Sequence, residues 1–336
     1  MTRTWSISMA GQQYRILSLD GGGIRGLITA LWLKRLQQKL EKPLHTYFDL
    51  IAGTSTGAIL ACGISKGIDV DRIVELYVER GREVFPSLPS QLWSRATRLF
   101  SDGTSAPKYD GKGLEKVLKD IFRTTVFGSL KIKPTLITTY DVLGREAVVF
   151  KNDRPEYHSL RVWELCKASA AAPSYFPSHV LQVNGIDIPL IDGGVVANNP
   201  TACAIAEGMK LNSPRNNPDP CELNDFVVAS FGTGESTRSI SIGESQEWGA
   251  AEWALPVVDV LFDGSADSVD YISSQLIDPD KYFRFQTRLE DAYDDMDNAS
   301  HTNVNALMRI ASQYIDHGEG KTRLNALSAL LSSTAK

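Results

Sequence analysis

Twice within the first 65 residues an apolar run ends in glycine and gives way to a helical pattern, and this repetition constrains the fold more than any other feature of the chain. Ile16 to Leu19 closes on Asp20-Gly21-Gly22-Gly23, after which Leu27, Ala30, Leu31, Leu33 and Leu36 recur at roughly helical spacing. Phe48 to Ala52 closes on Gly53-Thr54-Ser55-Thr56-Gly57 and leads into the helical stretch Ala58 to Ile64. Two such strand, turn and helix units in succession predict a parallel sheet covered by helices.

Further along, Asp71 to Arg82 reads as an amphipathic helix. Lys131 to Tyr140 and Ala147 to Phe150 read as a hairpin turned at Gly144, and Arg161 to Ala172 as a helix stopped by Pro173. Ile188 to Ile191 is a short strand. Pro200 opens a helix over Thr201 to Lys210, and Phe226 to Phe231 is a buried strand. After Gly234 the pattern loosens, with a strand at Tyr282 to Gln286 and closing helices near Asn303 to Ile315 and Lys321 to Leu331. A chain of 336 residues has room for one large domain or two small ones. No internal repeat or linker divides it, so a single domain over residues 14–335 is expected.

Charge narrows the partners. With 35 basic and 40 acidic side chains the net charge is −5, which gives no general attraction to nucleic acid polymers. Four cysteines are too few for a disulfide scaffold, and Cys62, Cys166 and Cys203 sit among small apolar residues that suit reduced thiols. Met1 to Gln13 has no apolar stretch of signal-peptide length, and no run of about 18 apolar residues occurs. The expectation is a cytoplasmic protein whose membrane contact is peripheral.

Three segments carry chemistry. Gly53-Thr54-Ser55-Thr56-Gly57 is a Gly-x-Ser-x-Gly at a strand-to-helix junction. A serine there is a candidate nucleophile on a sharp turn, with Gly53 and Gly57 as the elbow positions where side chains would collide with strand and helix. The plainer alternative is a helix-capping serine. Asp20 to Gly26 sets consecutive glycines before a helix, so that backbone N–H groups converge on an anion, either a phosphate or an oxyanion. Gly21, Gly23 and Gly26 satisfy Gly-x-Gly-x-x-Gly, but no P-loop ending follows and no acidic ribose partner closes a second strand, so the proximity of Ser55 favours the oxyanion. Asp192-Gly193-Gly194 places a carboxylate after a strand, either a general base for Ser55 or a turn aspartate. A triad in hydrolase order would instead need His301 or His317, both in polar surroundings, while His45, His158 and His179 read as surface or loop residues. No metal-ligand spacing occurs, so metal-independent chemistry is expected.

In order and spacing the three segments resemble the patatin-like phospholipases and the related calcium-independent phospholipases. The resemblance runs from about Ile16 to Thr233 and includes Ala168-Ser169-Ala170-Ala171-Ala172-Pro173, Phe176-Pro177 and Asn198-Asn199-Pro200. It implies a three-layer αβα fold with a central, mostly parallel sheet, the remaining residues 234–335 packing onto it. For chemistry it implies a Ser55–Asp192 dyad without histidine, an oxyanion hole from the N–H groups of Gly21, Gly22 and Gly23, and Arg25 supporting the loop or an anionic substrate. No cofactor is implied, and the substrates would be membrane phospholipids. The chain also resembles compact bacterial members, some of them antiphage effectors switched on by a cyclic nucleotide. Leu261 to Tyr271 and Tyr282 to Phe285 resemble that subgroup, which implies a cyclic nucleotide activator and action at the inner membrane. Phe85 to Lys108 is the lid candidate and Glu252 to Phe262 a second apolar stripe; core packing or a homodimer contact is the plainer account of each. The alternatives are a non-lipid esterase or thioesterase, and a storage or nucleotide-binding protein without enzymatic activity.

Overall fold

A computed structural model describes residues 13–86, 107–253 and 256–333. The sheet it contains is built, in chain order, from β1 (Tyr14–Leu19), β2 (Leu50–Thr54), β3 (Thr135–Asp141), β4 (Glu146–Lys151), β5 (His179–Val183), β6 (Ile186–Asp192), β7 (Phe226–Phe231) and β8 (Tyr282–Phe285). The order β3-β2-β1-β7-β8 is parallel throughout, while β4, β6 and β5 join antiparallel on the β3 side. The central strands β1, β2 and β7 are apolar along nearly their whole length because helices cover both of their faces.

Alternation along each strand separates the two faces. Leu17, Leu19, Ile51, Val227 and Phe231 pack against α1 (Gly26–Gln37), α2 (Thr56–Lys66) and α3 (Val70–Val84) through Leu27, Trp32, Leu60 and Ile73. Ile16, Leu50, Leu136 and Val228 point the other way. A third group of helices, α4 (Lys112–Phe122), α5 (Val162–Ser169) and the short α6 (Gly194–Ala197), surrounds the β3 side, where Leu118, Phe122, Leu165, Ile137 and Phe150 share a core. Ala204 and Ile205 of α7 (Thr201–Leu211) cover Ile16 and Leu50. The chain closes with α8 (Pro256–Leu276), α9 (His301–Ser312) and α10 (Glu319–Ser333), the last two packing Leu307 and Leu324 into the core beneath α1. This is the expected α/β architecture with helical layers on both sides of a mostly parallel sheet. Residues beyond Gly234 are integral to it, since β8 extends the sheet and α9 and α10 share its main core.

Three local expectations are corrected. His179 is neither loop nor free surface: it opens β5, half-buried, with its ring 6.1 Å from that of Trp163. Beyond Gly234 the chain is not loose, for α8 runs 21 residues and buries Val258 and Phe262 while Val260 and Leu261 stay exposed. The helix expected over Arg161 to Ala172 ends at Ser169, because the next residues turn to meet β6 through the bond from Asp192 N–H to the Ala171 carbonyl. Most of the expected lid, Phe85 to Lys108, lies outside the described residues. No described helix is long and apolar enough to cross a membrane.

Candidate active site

Strand register alone assembles the site. β1 and β2 pair in parallel with Leu19 opposite Gly53, so the turns that follow, at Asp20-Gly21 and Ser55, lie side by side. Because β4 pairs with β3 from Leu136 to Asp141, it occupies one whole edge of that strand. The other edge is shared end to end: β2 pairs with Thr135 to Thr138, and β6 pairs antiparallel with Thr139 to Asp141. β2 leaves that edge just before Ser55, and β6 arrives with its last residue, Asp192, opposite Thr139. Chain segments far apart in sequence therefore meet at one point.

Ser55 occupies a backbone conformation that side-chain-bearing residues rarely adopt, with φ 55° and ψ −122°. Holding it there costs about 1–3 kcal/mol, which the surroundings must offset. Close packing does so. A methyl on Gly53 would lie 2.2 Å from the Gly57 carbonyl oxygen, and one on Gly57 would lie 2.1 Å from the Leu19 carbonyl oxygen, so only glycine lets strand and helix approach this closely. The Ser55 N–H donates to Ser169 Oγ at 2.8 Å, and Ser169 Oγ donates to the Thr138 carbonyl at 2.7 Å. Ser55 also heads α2 and so sits at the positive end of its dipole.

Asp192 is fully buried. Its Oδ1 accepts from the Gly194 N–H at 2.7 Å, while Oδ2 makes no fully formed hydrogen bond. Burial pushes the carboxyl up from 3.8 to about 7, opposed by the Ser55 side chain and the Gly194 N–H. A carboxylate at the same depth with a cation beside it would stay ionised at lower pH. Here no cation is among the groups that set the value, and burial carries the carboxyl close to neutrality.

The glycine loop departs from the expected arrangement at one position. Gly21 N–H is already bonded to the Asn198 carbonyl at 3.0 Å and is not available to a ligand. Gly22 and Gly23 N–H donate to no acceptor among the described residues. The loop is held from outside by Thr233 Oγ1, which donates to the Gly21 carbonyl at 2.8 Å, and by the bond from Ile24 N–H to the Met296 carbonyl at 2.8 Å.

Ser55 and Asp192 line an apolar cavity of about 100 Å³. Ile59 of α2, Ile73 and Leu76 of α3, Leu114, Val117 and Ile121 of α4, and Tyr175, Phe176 and Met296 line it with them. None of the five histidines lines it. Of the lid candidate and the second apolar stripe, Phe85 and Phe262 line it; the remaining described wall comes mainly from α3 and from α4, a helix with no counterpart in the sequence reading.

Arg25 is buried, donates through Nη1 to the Asp294 carbonyl at 3.2 Å, and leaves Nε without a partner. Its charge acts on Asp259 and Asp263 of α8. Next to it Asp20 is tied to Arg284 of β8 by a buried ion pair at 2.7 Å, and Arg284 also donates to Ser230 Oγ at 3.0 Å. Sequence reasoning did not pair these residues: they are 264 positions apart, and only the register of β8 on β7, with Arg284 opposite Ser230, brings them together. Ser169 was also missed as a support for the elbow. Its signal was a lone hydroxyl inside an alanine run at a helix end.

Fold and site together place the chain among α/β proteins that present a serine on a strand-to-helix elbow. A family model described as patatin-like phospholipase matches residues 17–205. Patatin-like protein 1 of Arabidopsis thaliana is 31% identical over 91% of this chain and 82% of its own length, and Patatin-T5 of Solanum tuberosum is 28% identical over 100% and 92% respectively. Among solved structures, VipD from Legionella pneumophila is similar with a TM-score of 0.42 and 13% identity, covering 90% of this chain and 67% of that one. The chain belongs to the patatin-like phospholipase family, a class of lipid hydrolases.

Proposed function

We propose that the protein is a phospholipase A-type acyl hydrolase with Ser55 as nucleophile and Asp192 as its only general base. The acyl chain enters the slot between α2, α3 and α4, bringing its ester carbonyl over Ser55. Ser55 Oγ attacks the carbonyl carbon while its proton passes to Asp192, and the N–H groups of Gly22 and Gly23 receive the oxyanion. Collapse breaks the ester bond, and the lysophospholipid oxygen leaves with the proton from Asp192. Water then attacks the acyl-serine, giving its proton to Asp192, and a second collapse returns that proton to Ser55 and releases fatty acid. No metal takes part in these steps.

The observation that most supports this reading is the pairing of a strained serine with a buried carboxyl at about 7, both lining an apolar slot. Membership of the family makes a lipid the natural occupant. Contact with the bilayer would be peripheral, the cavity receiving a lipid drawn partly out of the surface.

The test is fatty acid release from mixed phospholipid vesicles by wild type, Ser55→Ala and Asp192→Asn, with and without a panel of cyclic nucleotides. Release abolished in both variants is expected. Turnover of soluble short-chain esters but not of phospholipids would move the assignment to an esterase, and release surviving in Ser55→Ala would overturn the nucleophile. Dependence on one nucleotide would make the enzyme a gated effector of antiphage defence, as its resemblance to that subgroup suggests.

A further inference from the structure

On the other side of the glycine loop from the apolar slot lies a second pocket, of about 280 Å³ and opposite chemistry. Arg25 and Asn198 form its floor beside Asp20, while Glu235, Asp263 and Asp267 stand around it. Three of these side chains are more than nine-tenths buried and carry unpartnered polar atoms: Asp20 Oδ1, Arg25 Nε and Asn198 Oδ1. Buried polar atoms left without partners are costly, and all three belong to side chains that line this pocket. The two cavities are neighbours across a single residue. A methyl on Gly21 would lie 2.3 Å from Asn198 Oδ1 and 3.2 Å from Ser55 Cβ, and Phe262 lines the apolar slot while the next residue, Asp263, lines the polar one.

From this we infer that the polar pocket receives the headgroup of the lipid whose acyl chain fills the slot, and that it selects a zwitterionic headgroup bearing a primary ammonium, such as phosphoethanolamine. The inference rests on the proposed acyl hydrolysis at Ser55. One guanidinium among several carboxylates suits a ligand with one phosphodiester and one cation: Arg25 takes the phosphate, and Asp263, Asp267 and Glu235 take the ammonium. An anionic headgroup without a cation would bring its phosphate beside three unanswered carboxylates. No aromatic ring lines the pocket among the described residues. A quaternary ammonium, which has no N–H to donate and is bound best by aromatic faces, is therefore recognised less well than a primary one. The same excess of negative charge makes this pocket a poor seat for a cyclic nucleotide.

The experiment uses dihexanoyl lipids that differ only in headgroup. Their binding to Ser55→Ala is measured by calorimetry and their kcat/KM with wild type. Affinity for the ethanolamine lipid about tenfold above the glycerol lipid, with choline between, is expected in both measurements. Asp263→Asn combined with Asp267→Asn removes most of that ratio, and Glu235→Gln reduces it. Asp267 and Glu235 are exposed and Asp263 half-buried, so these variants fold. Equal affinities, choline at or above ethanolamine, or a ratio unmoved in the double variant would overturn the inference. If wild type releases no fatty acid while Ser55→Ala keeps the binding order, the hydrolase reading fails and the pocket stands; hydrolysis without any headgroup order is the reverse.

Discussion

The ends of β1 and β6 each bury a carboxylate beside the elbow serine, and the two are treated in opposite ways. Asp20 has a guanidinium at 2.7 Å, and its carboxyl is raised to about 6 by burial against the pull of Arg284. Asp192 has only a backbone N–H and a serine side chain to favour its charge, and burial carries it to about 7. Burial raises both; the Arg284 guanidinium restrains the rise at Asp20, and no cation restrains it at Asp192, the proposed proton acceptor. Position at a strand end beside Ser55 is common to both, so position alone does not distinguish them.

That contrast can be broken most sharply by activity. Asp192→Asn is expected to lower kcat by about 10³-fold or more, while Asp20→Asn, measured on folded protein, loses no more than about tenfold; equal losses would dissolve the distinction. Stability should move the other way from activity: burial raises both carboxyls above their unfolded value, so ionisation stabilises neither. For Asp192 the folded carboxyl lies above its unfolded value of 3.8, so its contribution is fully present below about 4 and is lost as pH rises through about 7. Removing that titration raises Tm, and thermal melts of Asp192→Asn should exceed wild type by a margin growing from pH 4 to pH 8, reaching roughly 5 °C. In wild type, kcat/KM should climb with pH up to about 7 and then level, since only the ionised carboxylate accepts the serine proton. Ser169→Ala, which frees the elbow N–H without touching either carboxylate, should lower kcat about tenfold with little change in KM. The smallest effect is reserved for chelation: excess chelator should change the rate less than twofold, and a metal-reversible loss would break the two-carboxylate picture altogether.

What could be read in the sequence was what is local. β7 falls at Phe226–Phe231, where it was expected, because a six-residue apolar run between polar loops and a Gly-Thr-Gly turn leaves little choice. The Ser55 elbow was legible for the same reason, since Gly53 and Gly57 are demanded by contacts within and immediately beside one strand-turn-helix unit. Features set by distant partners were not. Nothing near Gly21 says that its N–H will be taken by the carbonyl of Asn198, nor that Asp20 will find Arg284. β5 begins with His179 and alternates buried with exposed residues over only five positions, too short a run to separate from loop, and it pairs only with β6. α4 does carry a helical stripe, Leu114, Val117, Leu118 and Ile121, but it follows a Pro-, Ser- and Gly-rich stretch and starts after Gly111 without a capping side chain to mark it.

The shared edge of β3 also decides when Ser55 and Asp192 can first meet. As the chain leaves the ribosome, the elbow at Ser55 is complete long before β6 exists, and the other half of the edge stays open until Asp192 is delivered by a strand running in the opposite direction. A nascent or truncated chain therefore carries the proposed nucleophile without its proposed proton acceptor, and the hydrolysis proposed for the folded chain must wait for β6.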